Sequence, residues 1–271
     1  MAKDTFLNRK VTLNSNGKLI DLSSPAVMAI LNLTPDSFYS QSRINSIGEA
    51  LKRTASFIQE GARFIDIGAY SSRPGAADVN ETEELQRLIP IVEAIAKEFP
   101  QVFISIDTFR AKVAEAAVLS GAHLINDISA GNLDEAMFET VAKLQVPYVM
   151  MHMKGTPQNM QQNPNYENIT NEILAYFIAK TNQLQQLGVK DIIVDPGFGF
   201  AKTTEHNYQL LQQMESFNIL KLPILVGFSR KSMITKVLNI KPEEALNGTS
   251  ILNTVALQKG ATILRVHDVK A

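Results

Sequence analysis

Short runs of apolar residues recur along the chain, and each run ends at a polar residue. Each opens close to a glycine or a proline, the residues that most often interrupt helices and strands. Because the apolar residues are almost continuous, the runs are typical of parallel strands buried on both faces. We predict eight strands, within residues 25–32, 61–66, 100–107, 121–126, 147–152, 188–195, 223–229 and 260–265.

Between these strands, apolar residues follow the three- and four-residue spacing of amphipathic helices. Strands that alternate with helices imply a parallel sheet, and eight such units predict a closed (β/α)8 TIM barrel, an α/β fold. The pattern is not interrupted by a linker or a low-complexity segment, so we expect a single domain over residues 1–271. The predicted helices cover residues 47–59, 81–98, 112–119, 135–144, 169–187, 206–214 and 242–258.

The two ends of the chain add to this prediction. Near the start, residues 11–13 and 18–20 flank the sequence Asn14-Ser15-Asn16-Gly17, which is typical of a hairpin turn. We expect this β-hairpin to cover the bottom of the barrel. After the eighth strand the sequence runs only to Ala271, so we expect the eighth helix of a complete barrel to be missing.

Composition excludes several classes of protein. The 271 residues are 45% hydrophobic and 20% charged, and a formal net charge of -1 offers no field for nucleic acid or an anionic membrane. The absence of cysteine excludes disulfides and thiolate metal sites. The first residues lack a secretion signal, and the longest apolar stretch, Ala26 to Leu31, is too short to span a bilayer. We therefore expect a cytoplasmic protein.

Polar residues end all eight predicted strands, at the face where (β/α)8 barrels carry their active sites. Cationic side chains follow the seventh and eighth strands, within residues 229–232 and 265–267. These two loops often bind phosphate in this fold, so we expect an anionic, phosphorylated substrate. The strand-end residues are Asn32, Asp66, Asp107, Asn126, His152, Asp195, Ser229 and Arg265.

A nucleotide-binding loop is the main alternative for the glycine-rich segment 197–202. Lys202 stands where a dinucleotide fingerprint needs its third glycine, and the segment lacks the second glycine of a P-loop. Residue identity therefore excludes both types of nucleotide site.

Motifs in the same order at all eight strand ends resemble the dihydropteroate synthase family. The resemblance implies a transferase that joins 6-hydroxymethyl-7,8-dihydropterin pyrophosphate to p-aminobenzoate in folate biosynthesis. Pyrophosphate would leave before the arylamine attacks, in an SN1-like reaction that gives 7,8-dihydropteroate. The matching segments are Asn32–Phe38, Ser71–Ala76, Ile106–Thr108, Ile125–Asp127, Met151–Pro157, Asp195–Phe200, Ser229–Ser232 and Arg265–Asp268.

The resemblance implies roles for residues around the pterin. Asp195 would accept from the 2-amino group and N3–H, and Asn126 would pair with the N1 and amino edge. Asp107 would meet the N8 side and stabilise positive charge on the ring as pyrophosphate leaves. Lys231 would donate to O4 and N5. Met151 is expected to pack against the pterin, and the other expected substrate contacts are Phe200, Gly227, Ser229 and Val266.

The resemblance also implies how diphosphate and p-aminobenzoate are held. Asn32 would be the protein ligand of Mg2+, the expected cofactor, and Arg265 would lie over the pterin face. Arg265 and His267 would also hold the departing oxygens. The loops at residues 34–43 and 70–79 would close over p-aminobenzoate. Their expected contact residues are Phe38, Ser72, Arg73 and Pro74.

Several alternatives remain open at this point. A pterin-binding methyltransferase and an inactive pterin-binding barrel are the other candidate functions, and a homodimer is possible. Asp66 is interpreted as a residue that orients a loop, and Asp127 as a brace of the fourth loop. His152 is either a core histidine or a direct ligand, and His206 is expected to cap a helix.

Overall fold

The computed structural model describes residues 10–33, 46–70, 79–162 and 164–271. A two-stranded antiparallel hairpin precedes a sheet of eight parallel strands. The strands in these ranges are β1 Thr12–Ser15, β2 Lys18–Asp21, β3 Ala26–Asn32, β4 Phe64–Gly68, β5 Phe103–Asp107, β6 Leu124–Asp127, β7 Tyr148–Met151, β8 Ile192–Asp195, β9 Leu225–Val226 and β10 Ile263–Val266.

The parallel strands close into a barrel. Each strand from β3 to β7 pairs with the next one along the chain, and β10 pairs with both β3 and β9. A parallel bridge between Val194 and Ile224 completes the ring, with the Val194 N–H donating to the Pro223 carbonyl at 3.0 Å. The predicted (β/α)8 barrel is therefore confirmed.

Helices follow the strands along the chain and pack outside the barrel. The first two have the bounds that the apolar spacing predicts, because capping side chains of Ser46 and Asn80 fix where they begin. Short 3-10 helices cover Met214–Leu220 and Pro242–Glu244. The α-helices are α1 Ile47–Gln59, α2 Glu81–Glu98, α3 Ala111–Leu119, α4 Met137–Leu144, α5 Ile169–Gln186, α6 Thr204–Gln212, α7 Ser232–Leu238 and α8 Leu246–Gln258.

The structure corrects the predicted elements between residues 223 and 258. Strand β9 has only two residues, because the rest of the predicted run turns back and the Phe228 carbonyl accepts the Lys231 N–H at 3.0 Å. The sequence pattern does not predict α7, which ends at Asn239 in a left-handed conformation with φ of 51°. Residues 267–271, beyond β10, contain no helix.

None of the helices in the described part of the chain is both long and apolar enough to cross a membrane.

The hairpin covers the bottom of the barrel, as predicted. Leu13, Ile20 and Leu22 pack against apolar side chains that point into the barrel, and the Ser15 hydroxyl donates to the His123 carbonyl at 2.7 Å. Asn16 and Gly17 both have positive φ, the requirement of a two-residue turn between twisted strands. The inward layer takes one residue from each barrel strand: Met28, Phe64, Phe103, Leu124, Val149, Ile193, Leu225 and Ile263.

Candidate active site

Polar side chains replace apolar ones in the upper half of the barrel interior. Alternate residues of a strand face the same side, so the residue two positions beyond each member of the inward apolar layer, the floor of the site, also points inward. This second layer consists of Ile30, Asp66, Ser105, Asn126, Met151, Asp195, Gly227 and Arg265. One step higher, Asn32 and Asp107 end β3 and β5, and together with the second layer they form the inward polar layer. The sequence therefore brings its polar strand ends together above a rigid apolar floor.

Arg265 links two carboxylates within this layer. Its Nε donates to Asp66 Oδ2 and its Nη2 to Asp107 Oδ2, both at 2.6 Å. Although burial lowers the pKa of Arg265, the facing Asp66 and Asp107 outweigh it and raise the pKa further above its high ordinary value. Burial raises the pKa of Asp107 to about 7, with Arg265 opposing the shift.

Asp66 is at the centre of this network, a position that the sequence interpretation misses. Its side chain is 0% exposed and also accepts from Ser105 Oγ at 2.5 Å and Asn126 Nδ2 at 3.2 Å. The signal in the sequence is a carboxylate two residues after the inward-facing Phe64. Since a buried carboxylate needs several donors, Asp66 organises the side chains around it.

Asp195 and Lys231 form the opposite side of the mouth. Asp195 Oδ1 accepts the Gly197 N–H at 2.8 Å, and Lys231 Nζ donates to the Phe198 carbonyl at 2.5 Å. Lys231 Nζ also lies 4.7 Å from the centre of the Phe200 ring. Burial raises the pKa of Asp195 and lowers that of Lys231 to about 8, while the opposite charges of the two groups oppose both shifts.

Only glycine fits position 197, which fixes the turn beside Asp195. A Cβ on Gly197 would lie 2.1 Å from the His152 carbonyl oxygen, and its φ of 71° is left-handed. The turn can therefore approach the end of β7 and present its N–H to Asp195.

The cationic loops predicted to face phosphate differ in their roles. Arg230 forms two 2.9 Å hydrogen bonds with Asp268 and also donates to the Pro242 carbonyl, so it ties the loop after β9 to the end of β10. His267 Nδ1 lies 2.9 Å from Ser229 Oγ, which joins the same two loops. Of the two neighbouring cations, Lys231 is the one beside Asp195.

The remaining predicted site residues fall into three groups. Met151 and Phe200 belong to an apolar wall with Ile128, Met153 and Met160. Val266 faces the opposite way and packs in the outer core, so any substrate contact would come from its backbone. The predicted residues outside the described part of the chain are Phe38, Ser72, Arg73 and Pro74.

The structure shows which of the expected structural roles three further residues have. Asp127 accepts from Ser129 and Gly131 N–H groups and from the Tyr148 hydroxyl, which confirms it as a brace of its loop. His206 caps α6 through a reciprocal pair of bonds with Thr203. His152 is buried with its ring against Tyr176 at 5.0 Å, and burial lowers its pKa to about 2, so it is a neutral core histidine.

Within the described ranges, no group of three or more His, Asp or Glu side chains is arranged to hold a metal ion. Asn32 is half-buried at the barrel mouth. Any metal here would therefore need ligands in addition to the described side chains.

Comparison with known proteins decides the family. A family model described as "Pterin binding enzyme" matches residues 28–267. The dihydropteroate synthase of Escherichia coli strain K12 is 45% identical over 260 residues, covering 95% of this chain and 92% of that protein. The chain belongs to the dihydropteroate synthase family. The resemblance seen in the strand-end motifs is thereby confirmed.

Solved structures of dihydropteroate synthases have the same fold. The Yersinia pestis protein in a sulfonamide drug complex superposes with a TM-score of 0.92 at 42% identity, covering 96% of this chain and 94% of that one. The Xanthomonas albilineans protein with 4-aminobenzoic acid gives 0.88 at 36% identity, covering 96% and 93%. Family membership makes this chain a transferase of folate biosynthesis.

Proposed function

We propose that the chain joins 6-hydroxymethyl-7,8-dihydropterin pyrophosphate to p-aminobenzoate and releases pyrophosphate. The observation that carries this proposal is the inward polar layer, in which Asp66, Asp107, Asn126, Asp195 and Arg265 meet at the mouth of a barrel of this family. Such a set suits a flat heterocycle with alternating donors and acceptors along its edge, because each unpaired buried polar group would be costly.

The pterin would lie across this layer. Asp195 has one oxygen committed to Gly197 and its second is assigned to the 2-amino group and N3–H. Asn126 donates to Asp66 through Nδ2, which leaves its amide oxygen to accept from the amino edge. Lys231 donates to O4 and N5 from the other side. Met151 and Phe200 supply apolar contact with the ring.

Charge at the mouth would assist departure of pyrophosphate. As the C–O bond breaks, positive charge develops on the pterin, and the Asp107 carboxylate stabilises it. Arg265 is held by Asp66 and Asp107, so its guanidinium is already oriented when the ligand arrives. Arg265 and His267 hold the oxygens of the leaving group, and Ser229 orients His267.

Mg2+ fits the donor set at the mouth. Mg2+ binds through one or two protein oxygens and substrate phosphates, and it retains several waters. The amide oxygen of Asn32 is such a hard donor, and no other described residue hydrogen-bonds the Asn32 side chain. Asn32 would hold the ion, which supplies charge neutralisation of the diphosphate when bound.

Phe38, Ser72, Arg73 and Pro74 are proposed to contact p-aminobenzoate.

The proposed reaction predicts sustained release of pyrophosphate when both substrates are mixed with the enzyme. A coupled pyrophosphate assay with and without p-aminobenzoate measures this directly. Methyl transfer from methyltetrahydrofolate would instead support the methyltransferase alternative. Tight binding of the pterin diphosphate without product, at saturating Mg2+ and p-aminobenzoate, would support an inactive barrel.

Two substitutions should separate the pterin and diphosphate ends of the site. Lys231→Ala should weaken binding of 6-hydroxymethylpterin about tenfold or more, since a hydrogen bond to a charged group contributes about 1.5–3 kcal/mol. Asn32→Ala should leave this affinity unchanged and raise the Mg2+ concentration needed for half-maximal rate. Calorimetry and a Mg2+ titration of the rate provide the two readouts, and negligible effects from both variants would contradict the site assignment.

The homodimer, the cytoplasmic location and the single domain over residues 1–271 stay predictions. Size-exclusion chromatography with light scattering tests the first of these.

A further inference from the structure

Lys202 is a buried lysine held almost entirely by backbone carbonyl groups. Its residue exposure is 4%, and Nζ donates to the Gly197 and Phe200 carbonyls, both at 2.9 Å. Nζ also lies 3.4 Å from the His152 carbonyl and 3.3 Å from His152 Nδ1. Because a buried ammonium is costly unless it is well solvated by acceptors, this arrangement calls for a function.

The carbonyls that Lys202 holds belong to the turn that shapes the pterin side of the mouth. Phe198 lies between Gly197 and Phe200, and its carbonyl accepts from Lys231. The Phe200 ring lies beneath the Lys231 ammonium. At the start of the turn, the Gly197 N–H donates to Asp195. By holding this turn, Lys202 positions the Gly197 N–H that donates to Asp195 and the Phe198 carbonyl that accepts from Lys231. Lys202 itself is not a strand-end residue.

The acceptors of Lys202 require a neutral His152. Burial and the facing Lys202 and Lys154 together lower the pKa of His152 to about 2. Nδ1 of a neutral imidazole can therefore accept from Nζ. The Tyr166 hydroxyl holds the adjoining Ala201 carbonyl at 2.9 Å, so the turn is fastened on both sides of the lysine.

Asp195 shares its surroundings with several cations. Lys231, Lys202 and Arg265 all face it, and they oppose the rise in the pKa of Asp195 that burial causes. The groups facing Lys202 are Asp195, Lys231 and Lys154, together with the neutral His152. Burial lowers the pKa of Lys202 to about 7, so Lys202 carries its positive charge at acidic pH.

We infer that Lys202 is a positioning residue for pterin binding, which holds the 197–200 turn and supplies a buried positive charge that keeps Asp195 ionised. The inference rests on the proposed function, in which ionised Asp195 accepts two hydrogen bonds from the pterin. Lys202 itself is separated from the pterin by the turn that it holds.

The test is the pH dependence of pterin affinity. Lys202→Met keeps an unbranched side chain of nearly the same length and removes its charge, so Asp195 should protonate at a higher pH. The acid limb of 6-hydroxymethylpterin binding, measured by calorimetry between pH 5 and 8, should move to higher pH by about one unit. Affinity at a pH below the wild-type limb should then fall about tenfold. Lys202→Arg retains the charge and should keep the acid limb close to that of the wild type.

Controls separate the outcomes. Lys112→Met removes a lysine whose side chain is 78% exposed on α3, and it should change nothing. If Lys202→Met does not fold, Lys202→Gln replaces it with the same expected shift. An unshifted limb, an equal loss of affinity at all pH values, a shift in Lys202→Arg as large as in Lys202→Met, or misfolding of both neutral variants would each overturn the inference. Wild-type protein that binds no pterin at any pH would instead refute the proposed function.

Discussion

Replacing Asp66 with alanine is expected to lower the free energy of unfolding by about 3–5 kcal/mol, as removal of one partner from a buried ion pair does. The carboxylate is fully buried and accepts from Arg265, Ser105 and Asn126. Without it, three donors lose their acceptor and Arg265 keeps only Asp107. Urea denaturation measures the loss, and the pyrophosphate assay measures the accompanying fall in turnover.

Glu83→Ala is the matched control for a carboxylate that pairs with arginine. Glu83 pairs with Arg87 one turn away on α2, in a partly exposed position. Such pairs contribute about 1 kcal/mol or less, so this variant should unfold close to the wild-type midpoint. A loss below 1 kcal/mol for Asp66→Ala as well would show that Asp66 does not organise the network.

Replacing Asp195 with asparagine should lower pterin affinity by a factor of about 10² to 10³, or about 3–4 kcal/mol. The Gly197 N–H needs an acceptor, so the amide oxygen would turn toward it. The amide NH2 would then face the pterin donors, and two favourable contacts would become a donor–donor clash. Calorimetric titration with 6-hydroxymethylpterin at pH 7 measures the change.

Asp191→Asn provides the control on the same strand. Asp191 lies just before β8 at the opposite end, where it pairs with Lys10 at 2.6 Å and accepts from the Asn14 N–H. This variant should bind pterin as the wild type does. Equal affinities for Asp195→Asn and Asp191→Asn would remove Asp195 from the proposed pterin site.

The fold is readable from the sequence because its signals are local. Apolar spacing and the capping residues Ser46 and Asn80 define α1 and α2, and nearly continuous apolar runs define the strands. The pattern fails after β9, where the chain turns back after two residues and α7 follows at once. There the backbone direction depends on contacts with distant residues, such as the bond from the Arg230 N–H to Thr249 Oγ1.

The site is only partly readable for the same reason. Asp107, Asn126, Asp195 and Arg265 stand out because they are polar where apolar runs end. Asp66 is misinterpreted because the predicted strand stops there, whereas β4 continues to Gly68 and turns the carboxylate inward. Lys202 is noticed only as a mismatch to a glycine motif, since its partners are chiefly backbone carbonyls, which no side-chain pattern reveals.

The apolar floor and the hairpin beneath it close the barrel interior at its lower end. Eight side chains fill its lower half, and Leu13, Ile20 and Leu22 seal it from below. Reactants and products must therefore share one opening. A ligand that lies deepest has to enter before any ligand that lies above it, so the closed end of the barrel constrains the order in which substrates bind.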